Sequence, residues 1–206
     1  MMTLCIGLYL FDEVEILDFA GPLEVFSTAS RVFQRLHPGS PPPFAPVLIA
    51  RQPQIRTRGG MQVSVPHPIH DHPPLDLLIV PGGVVDAELE RPEVVSWVAA
   101  QAAHAGRIAS VCTGAFLLGE AGLLDRRRCT THWEDVAALR TRYPDAHVSA
   151  DARFIDDGPL ITSAGISAGI DMSLYLVARL VDRALAVRTA RQMDYAWQGA
   201  PEPASQ

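Results

Sequence analysis

With 206 residues, 48% hydrophobic and 19% charged, the chain is long enough for one well-cored domain, which would bury roughly 70% of its unfolded surface. A formal charge of -6 argues against nucleic acid as the main partner, because phosphate binding needs a basic face. The three cysteines, Cys5, Cys112 and Cys129, are odd in number and lack metal-like spacing, which points to a reducing, cytoplasmic compartment. Without a basic leader or a run of about 20 apolar residues, neither export nor membrane insertion is expected.

In chain order, Thr3 to Phe11 is a near-continuous apolar run of strand length, as suits a strand covered on both faces, and Cys5 falls in its core. The mean hydropathy of +0.13 agrees with a buried parallel sheet. Asp12 to Ala20 reads as a turn descending onto a helix. Gly21-Pro22 marks the start of that helix, with proline at a permitted first position. Leu23, Phe26, Ala29 and Val32-Phe33 then recur at helical spacing. His37 to Pro46 holds too many prolines for a helix or strand interior and is a connection, followed by a strand at Val47 to Ala50.

Ile55 to Val65 alternates around Gly59-Gly60, a hairpin signal of the kind that often lies outside a main sheet. His67, His70 and His72 crowd a proline-rich stretch. Their spacing would suit a metal in principle, but the prolines and the lack of a partner carboxylate beyond Asp71 favour a solvated loop. Leu75 to Val80 is a buried strand running into Pro81-Gly82-Gly83, where glycines let backbone approach a ligand closely. Pro92 opens a helix that Gly106 ends.

Arg107 to Val111 is a short buried strand and Gly114 to Gly122 a helix of small and apolar residues, with Cys112 in the turn between them. Such a turn holds one side chain out at the carboxyl edge of a sheet, facing the first free N–H groups of the helix. Those donors and the helix dipole favour thiolate, so a lowered thiol pKa and a nucleophilic Cys112 are expected. The bland alternative, a small buried hydrophobe, fits a turn flanked by Ser110, Thr113 and Gly114 less well.

Arg126-Arg127-Arg128 reads as a charged, solvated turn, since nothing glycine-rich frames it as a phosphate site. Cys129 to Trp133 is a short strand entering a helix that runs to Tyr143 before Pro144. Phe154 to Thr162 forms two strands about an Asp-Gly turn. Ser163 to Asp171 is a second strand-to-helix entry, its helix continuing through Leu180. A last helix covers Ala184 to about Ala196, and 199–206 reads as a loose tail after a single domain spanning 1–198.

This alternation indicates an α/β fold: a flavodoxin-like open, mostly parallel sheet with helices on both faces. Ligands bind such sheets beyond the carboxyl ends of the strands, which places Asp18, Gly82-Gly83, Cys112-Thr113, His132 and Ser163 to Ser167 on one edge. Asp18 is either the acid partner of Cys112 or a helix-start residue complementing the dipole. If it faces the thiol, the two groups share a proton, because both cannot comfortably ionise together. The amides of Gly83 and Thr113 are the expected donors to developing negative charge. The Thr113 hydroxyl either orients a ligand or caps the helix, and His132 is either a base or a buried helix cap.

The segments ILDFAGPLEVF, LLIVPGG, SVCTGAFLLGEAGLLDRRRCTTHW and ITSAGISAGIDMSLYLV resemble the DJ-1/PfpI superfamily, more narrowly its isocyanide hydratase branch. The resemblance implies a cofactor-independent lyase in which Cys112 attacks the terminal carbon of a small-molecule isocyanide. Asp18, four residues ahead of Pro22, then supplies a proton, and water releases an N-substituted formamide. Thr113 matches the threonine that follows the cysteine in hydratases and weakens a protease reading. The resemblance also implies a homodimer. AraC-type regulators share the GPLEVF and TTHW segments in their sensor domains, but they carry a further helix-turn-helix module that 206 residues would not accommodate. The alternatives kept open are a non-catalytic ligand or redox sensor and glyoxalase- or deglycase-like chemistry at the same cysteine.

Overall fold

The computed structural model describes residues 2–197, so the tail expected at 199–206 lies outside the described residues. The first strand, β1 (Leu4–Leu10), is buried from Ile6 onward, as its apolar run requires. It leads into helix α1 (Ile16–Leu36), and then β2 (Phe44–Ala50) returns to pair with β1 in parallel from Leu4↔Phe44 to Leu10↔Ala50. A separate antiparallel hairpin follows, β3 (Gln54–Arg56) with β4 (Gln62–Ser64), as the paired glycines predict. Next come β5 (His67–Pro68), β6 (Leu77–Val80), the short helix α2 (Asp86–Leu89) and α3 (Pro92–Ala105). Gly106, left-handed at φ 68°, ends α3 as expected.

The second half holds β7 (Ile108–Val111), α4 (Gly114–Glu120), β8 (Arg128–Cys129), a 3₁₀ turn at Trp133–Asp135 and α5 (Val136–Arg142). It closes with β9 (His147–Val148), β10 (Phe154–Asp157), β11 (Leu160–Ser163), α6 (Ala168–Leu180) and α7 (Arg183–Gln192). The seven-stranded sheet runs β10-β11-β7-β6-β1-β2-β5, parallel throughout except for the edge strand β10, which joins β11 through the Asp-Gly turn. Helices α1, α6 and α7 pack together on one face, and α2, α3 and α4 on the other. All four residues of β6 and all four of β7 are therefore buried. The sheet reverses its winding direction at β1, and the crevice beyond the carboxyl ends of β1, β6 and β7 is where such a fold presents a ligand.

Several boundaries differ from the sequence reading, each for a physical reason. Helix α1 begins at Ile16 and carries Pro22 in its second turn. Proline's missing N–H leaves the Asp18 carbonyl without its i+4 donor, a cost that burial of the α1 face against the sheet overrides. Asp18 thus sits inside the first helical turn and not ahead of it. Strand β2 takes in Phe44-Ala45-Pro46, where Pro46 pairs only toward β1 because β5 reaches no further than Ile49 and Ala50. His67 belongs to that short edge strand β5, not to a loop, and His72 accepts a 3.0 Å hydrogen bond from Trp97 Nε1. The last helix stops at Gln192. Beyond it, Tyr195 donates to buried Asp171, which also binds Arg153.

Candidate active site

Cys112 follows β7 directly and adopts φ +56°, a left-handed conformation that non-glycine residues take only when their surroundings hold them there. Its N–H donates to Ser163 O at 3.1 Å. Its carbonyl accepts from Ala115 N at 3.3 Å, as α4 starts, and from the Thr131 hydroxyl at 2.9 Å. Two segments further along the chain, at Thr131 and Ser163, therefore fix the turn together with the start of α4. The thiol is nearly closed off from solvent, 7% exposed, and Gly165 lies against it. A Cβ at Gly165 would come 2.9 Å from Cys112 Sγ and 2.4 Å from His132 Cδ2, so close approach, and not backbone freedom, demands glycine there. Gly165→Ala is accordingly expected to displace the imidazole, crowd the thiol and slow its alkylation by iodoacetamide several-fold with the fold retained. An unchanged alkylation rate would show that the loop simply moves aside.

Asp18 is brought to the same point from α1 and is fully buried. Its Oδ2 accepts the Gly82 N–H at 3.0 Å, whereas Oδ1 has no hydrogen-bond partner, and the carboxyl as a whole lies beside the Cys112 thiol. Burial pushes this carboxyl up to about 7, with Glu15 adding to the rise, and the Gly82 amide and the Cys112 thiol hold it back. The thiol itself is pushed up to about 12, first by burial and then by Asp18, against the pull of the Thr113 amide and hydroxyl. This corrects the expected lowering of the thiol. The Thr113 amide lowers it as anticipated, but desolvation and a buried carboxylate outweigh that pull. The expected sharing of one proton does follow, with the proton resting on sulfur above about pH 7 and Asp18 ionised beside it.

The loop after β6 is stitched to both partners. Glu15 N donates to Gly82 O at 2.9 Å, and Val14 and Gly83 form an isolated antiparallel bridge. Gly83 has φ 136°, and a Cβ there would lie 2.2 Å from Glu13 O, so no side chain fits. Its N–H lies 2.9 Å from Thr113 Oγ1, and that hydroxyl donates to Gly83 O at 2.9 Å. The Gly82 and Gly83 amides are thus engaged by protein acceptors, contrary to the expectation that Gly83 offers a free donor. The Thr113 amide addresses the sulfur, as does its hydroxyl. That hydroxyl clamps this loop and does not cap α4. Thr113→Val is expected to cost about 1–2 kcal/mol in urea unfolding by leaving the Gly83 amide unpaired, and Thr113→Ser to restore most of it.

A cleft of ≈ 90 Å³ opens over these groups, lined by Glu15, Arg58, Gly83, Cys112, Thr113, His132, Glu134, Asp135 and Ile166. The sheet edge thus gathers Asp18, Gly83, Cys112, Thr113, His132, Gly165 and Ile166, with Gly82 one layer behind the cleft on Asp18 and Ser163 beneath the turn. His132 lines the wall, its Nδ1 lying 3.5 Å from Asp135 Oδ2 and 3.7 Å from Glu134 Oε2. Nδ1 therefore faces carboxylates, and among the described residues neither ring nitrogen is hydrogen-bonded to Cys112 Sγ. Glu15, Arg58, Glu134 and Asp135 escaped the sequence reading, although the His132–Asp135 spacing of three residues was a usable signal. Among the described residues no cluster of His, Cys, Asp and Glu is arranged to hold a metal, and no helix is long and apolar enough to cross a membrane.

A family model described as the DJ-1/PfpI family matches residues 5–179. The chain belongs to that family. An isonitrile hydratase from Pseudomonas putida is 35% identical over 196 residues, which cover 95% of this chain and 80% of that protein. An HTH-type transcriptional regulator from Pseudomonas aeruginosa is 30% identical over 92% of this chain, which spans only 50% of the regulator's length. Among solved structures, a ThiJ/PfpI family protein from Pseudomonas syringae superposes with a TM-score of 0.82 at 26% identity, over 100% of this chain and 80% of that one. The scaffold is thus shared with a ThiJ/PfpI family protein, and the proteins this chain is similar to include both an enzyme and a regulator.

Proposed function

We propose that this DJ-1/PfpI protein hydrates a small isocyanide to an N-substituted formamide, without a cofactor. The observation that carries the reading is the buried Asp18 carboxyl, one oxygen of it unpartnered, beside a thiol that keeps its proton. An isocyanide carbon needs a nucleophile and a proton at one atom, and this pair supplies both. As Cys112 Sγ bonds to the terminal carbon, the Asp18 carboxylate takes the thiol proton and passes it to that carbon, giving a protein-bound thioimidate. Water then adds across the C=N bond, its oxygen to the same carbon and a proton to nitrogen. The C–S bond breaks as the formamide carbonyl forms, and sulfur recovers a proton. The step is a hydration with no net oxidation, so no electron acceptor is required. The Thr113 amide steadies the sulfur as charge changes there, while the Gly82 amide keeps Asp18 in its rotamer. Likeness to the Pseudomonas putida hydratase over most of both chains supports the same reading.

The test is a mass-spectrometric assay of the purified protein with cyclohexyl isocyanide. The matching formamide is expected, and its absence across several isocyanides would end the reading. A second reading, ligand sensing without turnover, is favoured by the likeness to a transcriptional regulator over 92% of this chain. It predicts saturable binding of a small molecule with no product formed.

A further inference from the structure

The mouth of the cleft carries charges that the hydration chemistry does not use. Glu15 stands at the entry to α1, and Glu134 and Asp135 sit on the 3₁₀ turn, so carboxylates rim the opening from two sides. The Glu134 side chain is 64% exposed and that of Asp135 36%, so both meet water as well as the cleft. Against these three carboxylates stands one guanidinium, that of Arg58, beside the imidazole of His132. Deeper in, the unpartnered Asp18 Oδ1 adds a further negative atom at the reacting end. The field of this rim reaches the chemistry: Glu15 raises Asp18 and Asp135 raises Cys112, and no cationic group offsets either effect.

We propose that the cleft selects cationic substrates: isocyanides bearing a positive charge beyond the reacting carbon, drawn in by Glu15, Glu134 and Asp135. The electrophile's identity rests on the hydratase reading above, whereas its charge rests on the cleft alone. A rim with an excess of carboxylates raises the local concentration of cations and lowers that of anions, and the contrast fades as salt shortens the Debye length.

Charge is tested first without any isocyanide, by the rates at which methanethiosulfonates modify Cys112. A trimethylammonium-bearing and a sulfonate-bearing reagent are compared at low ionic strength, each rate scaled to that with a free thiol, and Cys112→Ala subtracts the contribution of Cys5 and Cys129. The cationic reagent is expected to react about tenfold faster, the gap closing in the Glu134→Gln/Asp135→Asn variant and at about 1 M salt. Equal scaled rates in the wild type would overturn the assignment. The second arm offers a trimethylammonium-bearing, a neutral and a carboxylate-bearing isocyanide of similar length, with KM expected to rise in that order. A cation preference in alkylation with no isocyanide hydrated would remove the hydratase reading and leave the charge assignment standing. Hydration of all three with equal KM would do the reverse.

Discussion

Cys112→Ala abolishes formamide formation, lowering turnover about a thousandfold or more, and leaves the fold intact. The effect on rate is large because Cys112 carries the one thiol among the described residues that line the cleft. The other two cysteines belong to β1 and β8, outside its walls. The effect on stability is small because the substitution removes one sulfur atom from an almost closed site and keeps a Cβ, so the strain at φ +56° is unchanged. A cost of about 1 kcal/mol is expected in urea unfolding. Full retention of activity in this variant would dismiss Cys112 as the nucleophile, and a collapsed far-UV spectrum would show that the elbow thiol is structural.

Asp18→Asn is the second large effect, and it separates the proton's role from packing. Asn keeps an oxygen for the Gly82 amide but has no group that takes the thiol proton, so turnover falls by two to four orders of magnitude, about the range of one general acid–base group. In the wild type the rate depends on an ionised Asp18 beside a protonated thiol. It therefore falls tenfold per unit as pH drops below about 7, and the Asn variant lacks that inflection. Stability responds with the opposite sign. Because burial raises the folded carboxyl from 3.8 to about 7, its contribution is fully present below pH 4 and is lost as pH rises through 7. Between those limits the stability difference moves in favour of Asn by roughly 1.4 kcal/mol per pH unit. Parallel stability curves for the two proteins between pH 4 and 8 would contradict a carboxyl held this high.

Much of this site was legible in the sequence because its parts follow short-range rules. The run Ile108–Val111 ahead of Cys112 and the small residues of α4 announce a strand-to-helix turn, and the order of strands sends Asp18, Gly82-Gly83 and His132 to the same edge. What the sequence misjudged depends on contacts between distant segments. The start of α1 was placed at Pro22 because local rules allow proline at a helix's first position, while the packed face of α1 tolerates it a turn later. The thiol is expected low because the helix dipole is visible in one stretch of chain, whereas burial and the Asp18 carboxylate arise only when α1 brings Asp18 beside the turn after β7. Gly83 looked like a free donor because nothing local reveals that Thr113 engages it. Helix α2 and strand β9 are too short to leave a periodic trace.

The sheet described above ends in two unequal margins, and both discourage growth by strand addition. At one side β5 offers only His67 and Pro68, too short a template and with a proline that has no amide hydrogen to give. At the other, β10 presents Asp156 and Asp157, with Arg128 reaching across to Asp157 Oδ1 and donating to the Asp156 carbonyl at 3.2 Å. An incoming strand would have to displace a guanidinium and lie beside two carboxylates. Strand addition at either margin of this sheet is therefore disfavoured.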